Sequence, residues 1–258
     1  MDWSAVFLLG AAFAAGCIDS IVGVGGLIQL PALLAGLPAE LPSFLLGTNK
    51  LASLMGTGSA ALRYARHVVF SWQTLVPAAC IAFVASLAGS ITVTHVSPTV
   101  FRPMVPVVLL IVLTYTVMRK DLGQTHAPRH LTPQAIGIGL ALIGGVGFYD
   151  GFFGPGTGSF LMLLFIRFYG FDFLNAAASA RLINCATNAA AILWFGSHGH
   201  VLWFLGTLMA IANVAGAQVG TRLAIRQGSA FVRLLFIAIV AVLILKTGWD
   251  AVKILQPR

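Results

Sequence analysis

Charge is what this sequence has least of. Its 258 residues include 7 Asp and Glu and 15 Lys and Arg, 9% in all, against 59% hydrophobic residues. A soluble domain carries about 25% charged residues, so a globular protein of this size could not cover its surface with so few. That excludes an ordinary soluble enzyme, a disordered chain and a nucleic-acid binder, despite a net charge of +8. The surplus of Lys and Arg reads as cytoplasmic-loop charge, not as a phosphate-binding patch. Cysteine is also scarce. Cys17, Cys80 and Cys185 sit in apolar runs with no metal-ligand spacing and read as small packing residues. No Ser-His-Asp or paired-carboxylate arrangement stands out, and no metal or cofactor is implied. The Ala14–Cys17 stretch follows an apolar run, but the leading segment has Asp2 and no Lys or Arg, so a cleavable lipoprotein signal is not expected.

What is present is apolar length. Mean hydropathy is +0.95, and a span needs roughly 20 apolar residues, so the chain can supply about eight to ten membrane segments. Lipid is therefore its surroundings, and no room remains for an added soluble domain.

One constant offset superimposes the rare residues of the chain on each other without a gap. Gly16 falls on Gly147, Asp19 on Asp150, Gly23 on Gly154, Gly25 on Gly156, Lys50 on Arg181, Trp72 on Trp203 and Arg102 on Arg233. The sequence divides into repeats over 1–122 and 133–258, with a polar linker over 123–132 and Pro128 and Pro133 as breakers. Each repeat has four hydrophobic blocks, at 3–35, 44–66, 72–95 and 99–119 in the first and 134–168, 174–196, 201–224 and 230–247 in the second. The first block of each is too long for one ordinary span. It is interrupted by Gly23-Val24-Gly25-Gly26 or by Gly154-Pro155-Gly156-Thr157-Gly158, clusters that break helices. Broken backbone at membrane depth is tolerated only where protein buries it or it lines a wet cavity. Each first block is therefore expected to be a helical hairpin or broken pair near the membrane midplane.

Charge counting favours inverted repeats. If each first block enters and returns, Arg63, Arg66, Arg119, Lys120, Arg129, Arg167, Arg181, Arg222, Arg226 and Arg233 share one side, ten against the five of Lys50, Arg102, Lys246, Lys253 and Arg258. A single crossing gives no bias. The richer side is the cytoplasmic one. The expected fold is an all-α polytopic membrane protein of two inverted-topology repeats.

Ionisable residues inside apolar segments are functional candidates. Asp19 and Asp150 lie beside the breaks, and Lys50 and Arg181 follow them at equal separations. Arg181, Asn184 and Asn188 share a helix face, as do Lys50, Ser53 and Thr57, so a polar stripe faces the partner repeat. A helix broken at the midplane exposes N–H groups and a positive dipole end. Gly23, Gly25, Gly26, Gly154, Gly156 and Gly158 let a ligand approach the backbone. Lys50 and Arg181 add charge. Thr48, Asn49, Thr157, Ser159, Ser179, Asn184 and Asn188 add neutral donors. This chemistry suits a small oxyanion bound between the repeats of a secondary transporter. Three roles for the acids stay open: Asp19 pairs structurally with Lys50 and Asp150 with Arg181, one Asp carries a coupling proton, or an Asp caps a broken helix. The glycines also suit close helix packing. His198-Gly199-His200 lacks a third ligand and reads as a solvated turn. Trp3, Trp72, Trp194, Trp203 and Trp249 fit interfacial belts, and Arg102 and Arg233 headgroup anchors.

At these residues the chain resembles the TauE/SafE (TSUP, sulfite exporter) family. Gly16-Cys17-Ile18-Asp19-Ser20-Ile21-Val22-Gly23-Val24-Gly25-Gly26 and Gly47-Thr48-Asn49-Lys50-Leu51 look like its first signature. Phe148 through Ser159, Ala180-Arg181-Leu182-Ile183-Asn184 and Thr187-Asn188 look like its second, closest to the YfcA-like branch. Arg181 stands where that branch often carries Lys. The resemblance implies a multi-pass protein of the bacterial cytoplasmic membrane that moves sulfite, sulfoacetate or other organosulfonates. A passive channel, an intramembrane enzyme and a scaffold are the competing readings, and a homo-oligomer is allowed but not specified.

Overall fold

The computed structural model describes residues 3–97, 99–101 and 132–255, and among them are helices and no strand. The first half gives α1 (Trp3–Val22), α2 (Gly26–Gly36), α3 (Pro42–Tyr64) and α4 (Trp72–Thr94). The second gives α5 (Pro133–Phe152), α6 (Thr157–Arg167), α7 (Phe173–Ser197) and α8 (Trp203–Leu255). The offset that carries Asp19 onto Asp150 also carries both ends of α2 onto those of α6. α8 leaves helical geometry at Gly228 (φ 74°, ψ −171°), the boundary between the third and fourth blocks. The fourth block of the first half, beyond 101, and nearly all of the linker lie outside the described residues.

Local chemistry fixes the ends. Pro42 and Pro133 open α3 and α5 at the position where a missing N–H costs nothing. The Asp172 carboxylate accepts from the Asn175 N–H at 2.7 Å and caps α7. α1 ends because Gly23 adopts φ +82°, which L side chains rarely reach, and Gly156 does the same at +84° before α6. Each first block is thus a broken pair, as its glycines predict.

The halves interleave. α1 packs most extensively on α8, and α4 on α5, so each half's first helix lies against the other half's third block. Glycines bring the backbones together: Gly216 and Gly220 meet Phe13 and Cys17 across α1–α8, and Gly147 and Gly151 meet Ala82 and Ser86 across α4–α5. Those two pairs run side by side in one direction. α3 and α7, by contrast, run antiparallel: Gly47 packs against Phe195 and the His200 carbonyl, and Gly58 beside Cys185.

Among the described residues, four stretches are long and apolar enough to cross a membrane: Ala5–Val22, Trp72–Thr94, Pro133–Phe152 and Trp203–Val232. The chain is a multi-pass membrane protein. The second blocks differ from expectation. α3 and α7 have 23 and 25 residues, about 35 Å or more and long enough to cross, but their polar residues make them less apolar than those four. They have no need to face lipid, because α1, α4, α5 and α8 pack around them. α2 and α6, with 11 residues each, reach only about 16 Å, half the hydrocarbon thickness. Trp72 and Trp203 start α4 and α8 and are exposed.

The backbones also pack closely where the breaks meet. A Cβ on Gly158 would meet Arg181 Nη1 at 2.5 Å and the Gly23 Cα at 2.6 Å, while Gly137 faces open space. Gly158→Ala is therefore expected to lower the thermal midpoint of the detergent-purified protein, through an overpacking cost of about 1–3 kcal/mol. Gly137→Ala should leave the midpoint unchanged or slightly raised.

Candidate functional site

The two helix breaks face each other at the interface of the halves. Gly23 lies against Gly158, and Gly26 against Pro155. The Ser159 N–H donates to the Gly23 carbonyl at 3.1 Å and stitches one break to the other. Tyrosines hold both from behind: the Tyr149 hydroxyl donates to the Pro155 carbonyl at 2.7 Å, and the Tyr64 hydroxyl to the Ser20 carbonyl at 2.9 Å. Each break is also packed in its own apolar cluster, one with Val22, Val24 and Tyr64, the other with Phe153 and Phe195. The N-terminal ends of α2 and α6 open onto the space between.

Three ionisable side chains, Asp19, Lys50 and Asp150, line that space, and Arg181 stands behind Asp19. Lys50 Nζ lies 2.9 Å from Asp150 Oδ1, and Arg181 Nη1 lies 3.1 Å from Asp19 Oδ2. Both pairs are the reverse of the within-repeat expectation, which joined Asp19 to Lys50 and Asp150 to Arg181. The reason is the interleaving: α7 brings Arg181 to the end of α1, and α3 brings Lys50 to the end of α5. Removing one partner of such a pair leaves an unpaired buried charge, worth about 3–5 kcal/mol. The ion pairs therefore bind the halves to each other. Asp19 is held further by the Gly25 N–H, which donates to its Oδ1 at 3.0 Å, in the manner of a helix cap.

The cavity at the centre is lined by Asp19, Gly23, Gly26, Asn49, Lys50, Ser53, Asp150, Gly154, Gly156, Thr157, Gly158, Asn184 and Asn188. Its volume is about 20 Å³, room for a water or two and no more. Both breaks and both second blocks thus enclose one small polar space, closed around its ion pairs.

The remaining expected site residues hold other contacts. Arg181 is fully buried and stands behind Asp19, off the cavity wall, with Nη2 against Met162 Sδ at 3.6 Å. Thr48 accepts from the Leu202 N–H at 3.0 Å, at the entry to α8. Ser159 turns its hydroxyl back to the Gly156 carbonyl at 2.7 Å. Gly25 serves Asp19 through its N–H, and Ser179 is buried away from the lining. Thr57, on the expected stripe, donates to the Ser53 carbonyl. Ser53 lines the cavity at the position that corresponds to Asn184 in the other repeat, and the offset could have promoted it. A second buried polar pair was not expected. Asn213 Nδ2 donates to Gln29 Oε1 at 2.7 Å, between α8 and α2. Their equivalents are Ala82 and Phe160, so the repeat gave no signal, although a Gln inside an apolar run is itself one. His198-Gly199-His200 forms the turn from α7 to α8, with His198 exposed.

Known proteins resemble this chain over nearly its whole length. Residues 8–247 match the family described as sulfite exporter TauE/SafE. A probable membrane transporter protein, ORF9, of a Sinorhizobium species is 39% identical over 234 residues, covering 90% of this chain and 88% of that protein. The probable membrane transporter protein YfcA of Escherichia coli K12 is 35% identical over 246 residues, 95% and 89% of the two chains. A probable membrane transporter protein of Haemophilus influenzae is 33% identical over 222 residues, 86% and 85%. No solved structure matches the chain.

The exchanged pairing can be checked by double-mutant cycles on thermal stability. Asp19→Asn with Arg181→Gln, and Asp150→Asn with Lys50→Gln, should each show a coupling of about 0.5–3 kcal/mol. Asp19→Asn with Lys50→Gln should couple more weakly; a coupling as large as the other two would mean the pairs are not exclusive.

Proposed function

The chain belongs to the sulfite exporter TauE/SafE family, and we propose that this membrane transporter moves small sulfur-containing oxyanions across the bacterial cytoplasmic membrane as a secondary carrier. Sulfite, sulfoacetate and other organosulfonates are the substrate class. The observation that carries the reading is the central cavity, where two helix N-termini, Lys50 and the amides of Asn49, Asn184 and Asn188 converge. Positive helix ends, an ammonium and neutral N–H donors are complementary to an oxyanion.

Depth supports a midplane site. α2 descends about 16 Å from the break, and Lys50 stands about 12 Å along α3 from Pro42, in a hydrocarbon core about 30 Å thick. The antiparallel course of α3 and α7 supports two inverted repeats, with the site at their interface. Enclosure favours a carrier over a channel. A space of about 20 Å³ around closed ion pairs is no open pore, so an anion needs the halves to move before it enters. Because each pair joins one half to the other, that movement and the anion's arrival act on the same bonds.

A thermal-shift panel on purified protein tests this, with sulfite, sulfoacetate, isethionate, taurine, thiosulfate and simple carboxylates. At least one sulfur oxyanion is expected to stabilise the protein, and Lys50→Ala to lower its affinity ten- to a hundredfold, the worth of a charge-assisted hydrogen bond of about 1.5–3 kcal/mol. Proteoliposomes loaded with that anion should exchange it by counterflow. Flux without counterflow would make the protein a channel, and no stabilisation by any sulfur anion would remove the substrate class.

A further inference from the structure

The two ion pairs are alike in position and unlike in bonding. Both oxygens of Asp19 are occupied, Oδ1 by the Gly25 N–H and Oδ2 by Arg181 Nη1. Asp150 has only Lys50. Its Oδ2 is buried without a hydrogen-bond partner, and Lys50 Nζ, though 2.9 Å from Oδ1, makes no aligned hydrogen bond. Lys50 and Asp150 both line the cavity, whereas Arg181 does not. Asp19 lines the cavity as well, but both of its oxygens are engaged and its base is set back, whereas the Lys50–Asp150 pair has unspent donors and a bare acceptor at the ligand space.

We infer that Asp150 takes up a proton when an oxyanion draws Lys50 away from it, so that a monoanion crosses with one proton and no net charge. This rests on the transport reading above. The four charged groups sum to zero without ligand. A monoanion that accepts N–H bonds from Lys50 Nζ breaks the contact with Asp150 Oδ1 and leaves one uncompensated negative charge in a buried site. A buried carboxylate stripped of its partner is the costliest member of that set, and neutralising it is the least costly remedy. The proton comes from water on the open side, adds to a carboxylate oxygen of Asp150, and leaves from the same oxygen when the anion departs and Lys50 returns.

No other described group around Asp150 takes its place. α4, packed along α5, carries no Asp, Glu, Lys or Arg. α6 carries only Arg167, in its last turn, away from the break. α7 offers Arg181, already on Asp19, and α1 offers Asp19, whose two oxygens already have donors. Tyr149, beside Asp150 on α5, gives its hydroxyl to Pro155.

The test uses isethionate and methanesulfonate, sulfonates whose charge is fixed across the pH range of the experiment, in proteoliposomes with the membrane potential clamped by valinomycin and potassium. With the exterior one pH unit more acidic, the wild-type protein should accumulate the anion about tenfold, the ratio set by one proton per anion, whatever the clamped potential. Asp150→Asn should lose accumulation under the pH gradient and respond to voltage instead. Asp19→Asn should be slower and less stable but reach the same tenfold ratio. Accumulation that survives in Asp150→Asn, or wild-type uptake that follows voltage, overturns the inference and leaves transport standing. No uptake of any sulfur anion by the wild-type protein overturns both. If Asp150→Asn does not fold, calorimetry on the wild-type protein in buffers of different ionisation enthalpy decides. About one proton taken up per isethionate bound supports the inference, and none taken up refutes it.

Discussion

Two buried ion pairs, each joining one half of the chain to the other, are the constraint from which the arrangement follows. A charge inside a lipid-embedded bundle is tolerable only when it is paired and protein surrounds it. Here Lys50 meets Asp150 and Arg181 meets Asp19. The acids come from helix ends beside the breaks and the bases from the second blocks. Neither half can satisfy its own charges in this geometry, so each is incomplete without the other. The glycines at the breaks serve that pairing, because Gly23 and Gly158 let two backbones approach until the acids and bases reach.

The same constraint sorts the helices by polarity. α3 and α7 carry the bases and the amide-bearing stripe, and those faces are buried because a lipid-facing surface could not hold such groups. α1, α4, α5 and α8 carry the apolar length and form the coat. Their glycines draw α1 onto α8 and α4 onto α5, which sets the interleaving that in turn brings each acid to the far half's base. Packing of small residues at the periphery and pairing of charges at the centre are thus one geometric condition stated twice.

Much of this was legible in the constant offset between the repeats. Asp, Lys or Arg and the glycine clusters are rare enough in so apolar a chain that their recurrence marked the breaks and the four charges. The partners were not legible. Lys50 follows Asp19 at the same separation as Arg181 follows Asp150, and spacing alone cannot say whether a base serves its own half or the other. That depends on which helices interleave, a matter of tertiary packing. Residue type also exceeded residue direction: Thr48, Ser159 and Ser179 have donors of the right kind on faces that point elsewhere. Gln29 and Asn213 escaped because their repeat equivalents are Phe160 and Ala82. A search for matched residues is blind to polar groups that only one half possesses.

Unmatched residues also set the two ion pairs apart. A scaffold of two like halves would make those pairs interchangeable, and both would yield equally to the same perturbation. The sequence breaks that equivalence at the base and at the second block. Arg181 replaces a second Lys and is set back from the cavity; a guanidinium with its fixed fork is suited to holding a carboxylate in place. Lys50 is a compact ammonium on a flexible stem at the cavity wall. Tyr64 corresponds to Phe195, so the hydroxyl that ties α3 to the Ser20 carbonyl has no counterpart at the matching position of the other half. A tyrosine ties each break, Tyr64 at the Ser20 carbonyl and Tyr149 at the Pro155 carbonyl, so the difference lies in the acids themselves. Asp19 is held twice, by Arg181 and by the Gly25 N–H, and Asp150 by a single ammonium. Under the same perturbation the less braced pair yields first, and that ordering gives a nearly symmetric fold one fixed joint and one that can open.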